Sequence, residues 1–312
     1  MDLFEKKEEY HNTQLYKIAW LYYIEEMTQA SIASQLGINR VRVVKLLEEA
    51  REKKIVSFHF STLNRETLSI EKKLINKFGL KDVFIAPWSD DDNLSESLGQ
   101  AAAMYLDDLI KDDLSVGIGY GETISYFLQS LARLTDKKIS ILSLTGGVSP
   151  YLSQVNGQTS CLKYSLIPSP LIMSSEKIAR EIRKESPVKE VLDLAQNASI
   201  IVTSLGGMNN DATVAQNGLI SKEEFSSLRK NQAVGDILMH FINKDGEIVS
   251  PEIEGRLISL PLESIRKKKN IVVVAGGKAK VQMIQAAIRN GYVNYLITDE
   301  ETANLLLKDE SE

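Results

Sequence analysis

Four apolar runs of this 312-residue chain end in glycine-rich segments that could hold an anion. They are Gly119-Tyr120-Gly121-Glu122-Thr123, Thr145-Gly146-Gly147, Gly206-Gly207 and Gly276-Gly277-Lys278-Ala279-Lys280. Glycine lets successive backbone N–H groups close on an anion, and a helix that starts at the same place adds its positive end. The Thr123 hydroxyl can donate a hydrogen bond, and Lys278 or Lys280 can supply a cation, so the set suits a phosphate. Any one of these segments could be an ordinary tight turn from strand to helix. Four at one sheet edge point to a ligand pocket. Asp236 follows Gly235 in the apolar run AVGDILMHF. Burying a charge is costly, so this carboxylate must be paired or must face a ligand. A hydrogen bond to a sugar hydroxyl and an internal salt bridge both satisfy that condition, and Glu122 carries the same two readings.

Sharper chemistries are excluded by spacing. The 119–124 segment lacks the third glycine of a dinucleotide fingerprint, since Ile stands at position 124, and no GxxxxGK[ST] occurs. The three histidines, His11, His59 and His240, are too scattered for a metal cluster, so neither metal nor cofactor is expected. His240 lies in an apolar run and reads as a satisfied core histidine. The single Cys161 excludes an internal disulfide framework, suits a reducing cytoplasm and reads as a small buried apolar residue.

A second kind of chemistry sits near the amino terminus. In residues 14–58, Leu15, Ile18, Ala19 and Tyr22 form one helical stripe, and Val43, Leu46, Leu47 and Ala50 form another. Between them Thr28 can cap a helix whose Ile32, Ala33 and Leu36 face inward, Gly37 can end it, and Asn39 can cap the next. Two short helices joined by a tight glycine turn are the geometry that places a helix in a DNA major groove. The residues expected to face DNA are Thr28, Gln29, Asn39, Arg40, Val41, Arg42, Val44 and Lys45. Arg51, Lys53 and Lys54 follow, and residues 55–60, IVSFHF, are β-prone enough to form a wing. Cations of this kind neutralise phosphates, while base-edge contacts carry specificity. Val41 and Val44 either meet thymine methyls or pack against the first helix. The cations could instead pair with Glu48, Glu49 and Glu52 on a solvated surface.

Positioning two such sites requires two domains, which the length allows. Beyond residue 80, apolar runs at 83–86, 114–118, 139–144, 199–205, 234–242, 271–275 and 294–298 alternate with helical patterns at 94–110, 123–134, 175–197, 221–230, 280–290 and 300–307. That alternation means α/β architecture with a mostly parallel sheet covered on both faces, whose ligands bind at strand carboxyl ends. The expected division is residues 1–60 as a winged helix-turn-helix domain, 61–80 as a linker helix and 81–312 as an effector and oligomerisation domain. In the linker, Leu68, Leu74, Ile75 and Phe78 are available for packing, and Gly79 ends the helix. The first ten residues, MDLFEKKEEY, read as a frayed tail. A formal net charge of −5 confines nucleic-acid binding to a local basic patch. No apolar run approaches the roughly 18 residues that span a membrane.

Taken together, LYKIAWLYYIEEMTQASIASQLGINRVRVVKLLEEAREKKIV, then GIGYGET, LTGG, AVGDI and AGGKAKVQMIQAAIRNGYVNYLITDEETANLLL, resemble the SorC family of bacterial transcriptional regulators, the sugar-binding DeoR-like regulators. The likeness spans residues 12–308. It implies a Rossmann-like effector domain similar to sugar-phosphate isomerases and deaminases, a phosphorylated sugar as effector, a homo-oligomer (dimer or tetramer) and double-stranded operator DNA of a catabolic operon as target. Carried over, Gly119, Gly121, Glu122, Thr123 and Lys280 would hold the phosphate, with Tyr120 in the same loop. Thr145, Gly146, Gly147, Gly206 and Asp236 would line the sugar side. Where the family often has Ser-Arg and then Val-Ser-Arg, this chain has Asn39-Arg40 and Val43-Val44-Lys45, which puts its base preference outside what relatives imply. Thr145 stands before Gly146, so no lysine imine is expected there. The competing readings are a sugar-phosphate isomerase or deaminase with an added DNA-binding domain, and a constitutive DNA-binding protein whose large domain only oligomerises.

Overall fold

Leu15, Ile18 and Ala19 are buried on one side of α1 (Leu3–Tyr23) against Ile32 and Ala33 of α2 (Gln29–Leu36) and Val43, Leu46, Leu47 and Ala50 of α3 (Arg40–Glu52). A computed structural model describes residues 3–53, 55–56, 62–87, 93–147, 161–209, 214 and 218–308. The chain divides into two units, residues 1–65 and 66–312. In the first, the caps form as their side chains dictate. Thr28 Oγ1 accepts from the Ser31 N–H at 3.1 Å, and Asn39 Oδ1 accepts from the Arg42 N–H at 2.7 Å. Gly37 closes α2 with φ of 64°. The charged start of the chain is no frayed tail: helix begins at Leu3, because the run carries few helix breakers and extends α1. His11 of α1 contacts Glu49 of α3 at 2.7 Å. The wing expected over 55–60 falls largely outside the described residues. Ile55 and Val56 pack on the three-helix core.

The division falls within α4 (Thr62–Phe78), whose residues from 66 on open the second unit, and Gly79 with φ of 67° ends the helix. Leu74 is buried there and Ile75 and Phe78 pack beside it, whereas Leu68 points to solvent. The strands of the main sheet are β1 (Asp82–Ile85), β2 (Leu114–Ile118), β3 (Ile139–Ser143), β4 (Leu162–Ser165), β5 (Ile200–Thr203), β9 (Ile271–Val274) and β10 (Tyr295–Thr298). Among the described residues they form one parallel sheet in the order β1-β10-β9-β5-β2-β3-β4. Alternate residues feed the two faces. Val272 and Val274 join the core beneath α5 (Leu94–Leu109) and α6 (Glu122–Leu134), while Ile271 and Val273 join the core that holds α4. Each such fully buried aliphatic side chain stabilises the fold by about 1.5–3 kcal/mol.

Two apolar runs break where the sequence reads one strand. Residues 199–205 leave the sheet at Ser204, and Leu205–Gly207 becomes β6 of a small antiparallel sheet with β7 (Gly235–Ile237) and β8 (His240–Ile242). The run 234–242 is the β7–β8 hairpin, turned by Leu238 and Met239 at φ of 55° and 72°. Both turn positions need positive φ and carry apolar side chains, so no turn signal marks them. The helical stretch 175–197 is likewise two helices, α7 (Glu176–Ile182) and α8 (Ser186–Gln196), parted at Arg183–Glu185 by a second start with Pro187 in the first turn. Then come α9 (Lys222–Lys230), α10 (Pro251–Arg256), α11 (Leu262–Arg266), α12 (Val281–Arg289) and α13 (Glu300–Leu307).

From β2 the chain moves outward through β3 and β4. It then returns to lay β5 on the other side of β2, followed outward by β9, β10 and β1. The reversal falls between β2 and β5, and the crevice beyond their carboxyl ends is where open α/β sheets bind ligands.

Candidate functional site

A cavity of about 430 Å³ lies at that crevice. Its walls come from the loop after β2 (Tyr120, Gly121, Glu122, Thr123), from Ser204, Leu205 and Gly206 after β5, from Asp236 of β7, from Gly276 to Lys280 after β9, and from Leu94, Ser95 and Leu98 of α5. Three helical segments begin on it: α5 after Asn93, α6 after Gly121, and the 3₁₀ turn Lys278–Lys280 that leads into α12 after Gly277. None has a side-chain cap, as is also true of α8 and α11 away from the cavity, whereas α2, α3, α7, α9, α10 and α13 are each capped by a Ser, Thr, Asn or Asp side chain. The first-turn N–H groups of a helix have no acceptor within the helix, so the starts of α5 and α6 leave donors and positive helix ends at the cavity, while at the third start the Gly277 N–H is taken by Asp299 Oδ2 at 3.1 Å and Thr302 Oγ1 at 2.7 Å. Gly121 sits at φ of 114°, a conformation closed to other residues at low cost, and this turns the β2 strand into α6.

Asp236 is fully enclosed. Its Oδ2 accepts from the Tyr120 hydroxyl and from the Met239 N–H, both at 2.9 Å, while Oδ1 has no partner. The Met239 bond fastens the strained hairpin turn. Gly206 pairs with Asp236 across the small sheet, and a Cβ on Gly206 would stand 1.9 Å from Asp236 Oδ1. Glycine at this position makes room for the carboxylate. Burial pushes the Asp236 carboxyl pKa up, opposed by its two hydrogen bonds and by the positive charge of Lys280. Lys280 makes no hydrogen bond or ion pair among the described residues. Surrounding protein pushes its ammonium pKa down, opposed by Asp236 and Glu122. Among the described residues no salt bridge neutralises Asp236; its charge partner is a lysine held at a distance. Lys278, by contrast, pairs with Glu301 at 2.7 Å on the surface.

Most of the sequence-expected effector residues come together here: Tyr120, Gly121, Glu122, Thr123, Gly206, Asp236 and Lys280 all line the cavity. Gly119 stands behind it, where a Cβ would meet Thr203 Oγ1 at 2.3 Å. Thr145, Gly146 and Gly147 do not line it. The Gly146 N–H bonds Ile258 O at 2.8 Å, the Gly147 N–H bonds Ser169 O at 2.9 Å, and Thr145 bridges to Ser259. A Cβ on Gly146 would stand 2.3 Å from Pro170 O, so these glycines serve close backbone packing. Ser95, Ser204 and Asn209 line the cavity without having been marked by any glycine motif. No sequence signal marks Ser95, since Asn93 before it reads as an ordinary helix cap and only the structure shows that cap unmade.

His240 is buried outside the cavity. Its Nδ1 lies 2.8 Å from Glu254 Oε2, and its Nε2 lies 3.1 Å from both Ser259 Oγ and Leu260 O. It is the satisfied core histidine expected. Cys161 is partly exposed, not buried, since it precedes the edge strand β4. A wider groove of about 660 Å³ follows the outer side of α12. Its cations Lys244, Arg289 and Lys308, and Lys278, which it shares with the smaller cavity, are all exposed, whereas Lys280 of the smaller cavity is partly buried.

On α3, Arg40, Arg42 and Lys45 are exposed, and none forms an ion pair with a glutamate among the described residues. Arg40 Nε reaches Gln29 Oε1 at 3.4 Å. Val41 is 65% exposed, which removes it from packing against α1, while Val44 is half-buried. Farther along, Lys53 pairs with Glu49 at 3.1 Å. Lys54 lies outside the described residues.

Comparison with known proteins places the chain. Residues 63–308 match the family model described as "Putative sugar-binding domain". The chain is 32% identical over 295 residues to the transcriptional regulator LsrR of Enterobacter sp. (strain 638), covering 93% of this chain and 91% of that one. The LsrR of Escherichia coli (strain K12) is 34% identical over 299 residues, covering 95% and 94%. The chain belongs to the SorC family of sugar-binding transcriptional regulators. The solved full-length sorbitol operon regulator SorC from Klebsiella pneumoniae aligns with TM-score 0.69 and 26% identity over 95% of this chain and 98% of that one. A DeoR family transcriptional regulator from Listeria monocytogenes shares the fold at TM-score 0.72, with 23% identity over 78% of this chain and all of that one. As a SorC-family member the chain pairs a helical amino-terminal unit with a large α/β unit. No helix among the described residues is long and apolar enough to cross a membrane.

Proposed function

We propose that this regulator binds double-stranded operator DNA of a carbohydrate catabolic operon through α3 and is controlled by a phosphorylated sugar in the cavity of residues 119–123, 206, 236 and 276–280. The observation that carries the proposal is the pairing of an ammonium without a direct partner, Lys280, with the open helix starts of α5 and α6 around one cavity. That is a set of donors and positive charge matched to a phosphate. The buried Oδ1 of Asp236, which has no hydrogen-bond partner, is an acceptor of the kind a sugar hydroxyl needs, so in this reading Asp236 recognises the sugar and Lys280 the phosphate. The α3 cations anchor DNA phosphates, Val41 meets base methyls, and Thr28 and Gln29 approach the backbone beside them. The protein works in the cytoplasm as a homo-oligomer. The sugar phosphate prefers one of its conformations and shifts the DNA-competent population by that difference in affinity.

The reading holds that the ligand is bound and released unchanged. To test it, DNA that binds the purified protein would be selected from a random pool, and the complex then titrated with sugar phosphates. One sugar phosphate should change DNA affinity at least about fivefold, as a coupling of 1 kcal/mol or more requires, and phosphorus NMR should recover it intact. A complex indifferent to every sugar phosphate, or a ligand turned over to product, would contradict the proposal.

A further inference from the structure

The charges around the cavity beyond β2 and β5 do not balance. Two carboxylates, Asp236 and Glu122, line it, and the charges of both act on Lys280. The other lysine of the lining, Lys278, is exposed and already paired with Glu301 at 2.7 Å. One dianion finds its complement here: Lys280 and the open starts of α5 and α6 supply positive charge and N–H donors for a single phosphate. The carboxylates accept hydrogen bonds and donate none while ionised, which suits the hydroxyl hydrogens of a sugar. Asp236 is buried, and its Oδ1 stands without a partner. Glu122 is exposed beside the buried Thr123, at the first position of α6. A second phosphate, or a carboxylate at the far end of the sugar, would bring no hydrogen for these acceptors and would meet no unpaired cation of the lining.

We propose that Glu122 makes the site selective for a sugar bearing one phosphate and no other anionic group, by repelling sugar bisphosphates and phosphorylated sugar acids. The inference rests on the reading of the cavity as a sugar-phosphate site and narrows the class of effector. Specificity is a difference of affinities, and a like charge set against the wrong ligand creates it as well as a contact made with the right one. Like charges repel most where protein displaces the water between them, as it does in a cavity. Being exposed, Glu122 keeps its own charge hydrated until a ligand arrives, so the discrimination costs the empty protein little. A carboxylate in the first turn of a helix also steadies that helix. That role alone would alter the affinity of all ligands alike, so the decisive quantity is a ratio of affinities.

The test is calorimetric titration of the full chain, of Glu122→Gln and of Glu122→Asp. The probes are pentose and hexose monophosphates, each beside the bisphosphate of the same sugar, and glucose 6-phosphate beside 6-phosphogluconate. Each monophosphate that binds the wild type should do so at least about tenfold more tightly than its matching bisphosphate or acid. Glu122→Gln keeps the size and reach of the side chain and removes its charge, so that ratio should fall at least about fivefold. Glu122→Asp keeps the charge and should hold the ratio within about twofold. A wild type that binds a bisphosphate or acid as tightly as its monophosphate, or a ratio that Glu122→Gln leaves unchanged, would overturn the role of Glu122 and leave the sugar-phosphate reading standing. Binding of no monophosphate at all would overturn that reading, and this inference with it.

Discussion

The two functional regions treat their helix starts in opposite ways. In the amino-terminal unit, Thr28 and Asn39 close α2 and α3 with their own side chains, and the cations Arg40, Arg42 and Lys45 stand out in solvent. In the large unit, the helical starts after Asn93, Gly121 and Gly277 have no side-chain cap, and the cation among them, Lys280, is crowded by protein. A helix that has only to present a surface is best finished locally, since a cap contributes about 1 kcal/mol. A helix that must receive a ligand keeps its donors for the ligand and gives up that stability. In the proposed reading, the difference separates a surface for a large, charged, screened partner from a cradle for a small one.

The largest test of this contrast is Lys280→Ala. Removing one partner of a charge-assisted contact in a largely buried site should cost about 2–3 kcal/mol, or roughly 30- to 160-fold in effector affinity, with DNA binding intact. Titration calorimetry measures both, and an unaltered effector curve would take Lys280 out of the site. Next is Arg42→Ala or Lys45→Ala, expected to weaken DNA binding by about 1–3 kcal/mol if the side chain reaches a base edge. If it touches only phosphate, the change should be smaller and the salt slope should drop by about one. Effector affinity should not move in either case. If both variants keep full DNA affinity at every salt concentration, the recognition surface lies elsewhere.

Asp236→Asn sharpens the contrast from the stability side. Burial raises the Asp236 carboxyl pKa, so the folded protein prefers the neutral acid. The stability contributed by that preference is complete below the ordinary value of 3.8 and is lost as pH rises through the folded-state pKa. Without effector, Asp236→Asn should therefore melt higher at pH 7 by about 2–4 °C, for a gain of about 1 kcal/mol. The gain should shrink as pH approaches 4, and effector affinity should fall. A variant that melts lower at pH 7 would show that the carboxylate is stabilised by its surroundings as an ion. The smallest effect belongs to the closed caps: Asn39→Ala should cost about 1 kcal/mol of stability in the amino-terminal unit, read by denaturant unfolding, with effector binding unaffected.

The elements whose signals are local were legible in the sequence. Thr28, Gly37 and Asn39 mark their helix ends within three residues, and β2, β9 and β10 are continuous apolar runs between helices. The glycine-rich ends of β2 and β9 led directly to Gly121 and Lys280. What stayed hidden depends on contacts distant in sequence. Nothing near Leu238 and Met239 marks a turn, because the turn is held by the Asp236 carboxylate and by burial. Gly146 and Gly147 have the same local pattern as the cavity glycines, and only their contacts with residues 169, 170 and 258 set them apart. Ser204 and Asn209 carry no motif and reach the cavity because the chain leaves the sheet after β5.

The central claim is that the large unit recognises the phosphate of a sugar through Lys280 and the open helix starts. The most direct measurement is a thermal-shift titration of the wild-type chain and of Lys280→Ala against a panel of sugar phosphates and the matching free sugars. A ligand that binds only the folded state must raise the melting temperature by mass action. The account predicts a concentration-dependent rise with at least one sugar phosphate, none with its free sugar, and loss of the rise in Lys280→Ala. An equal rise with a free sugar, or one that survives Lys280→Ala, would contradict it.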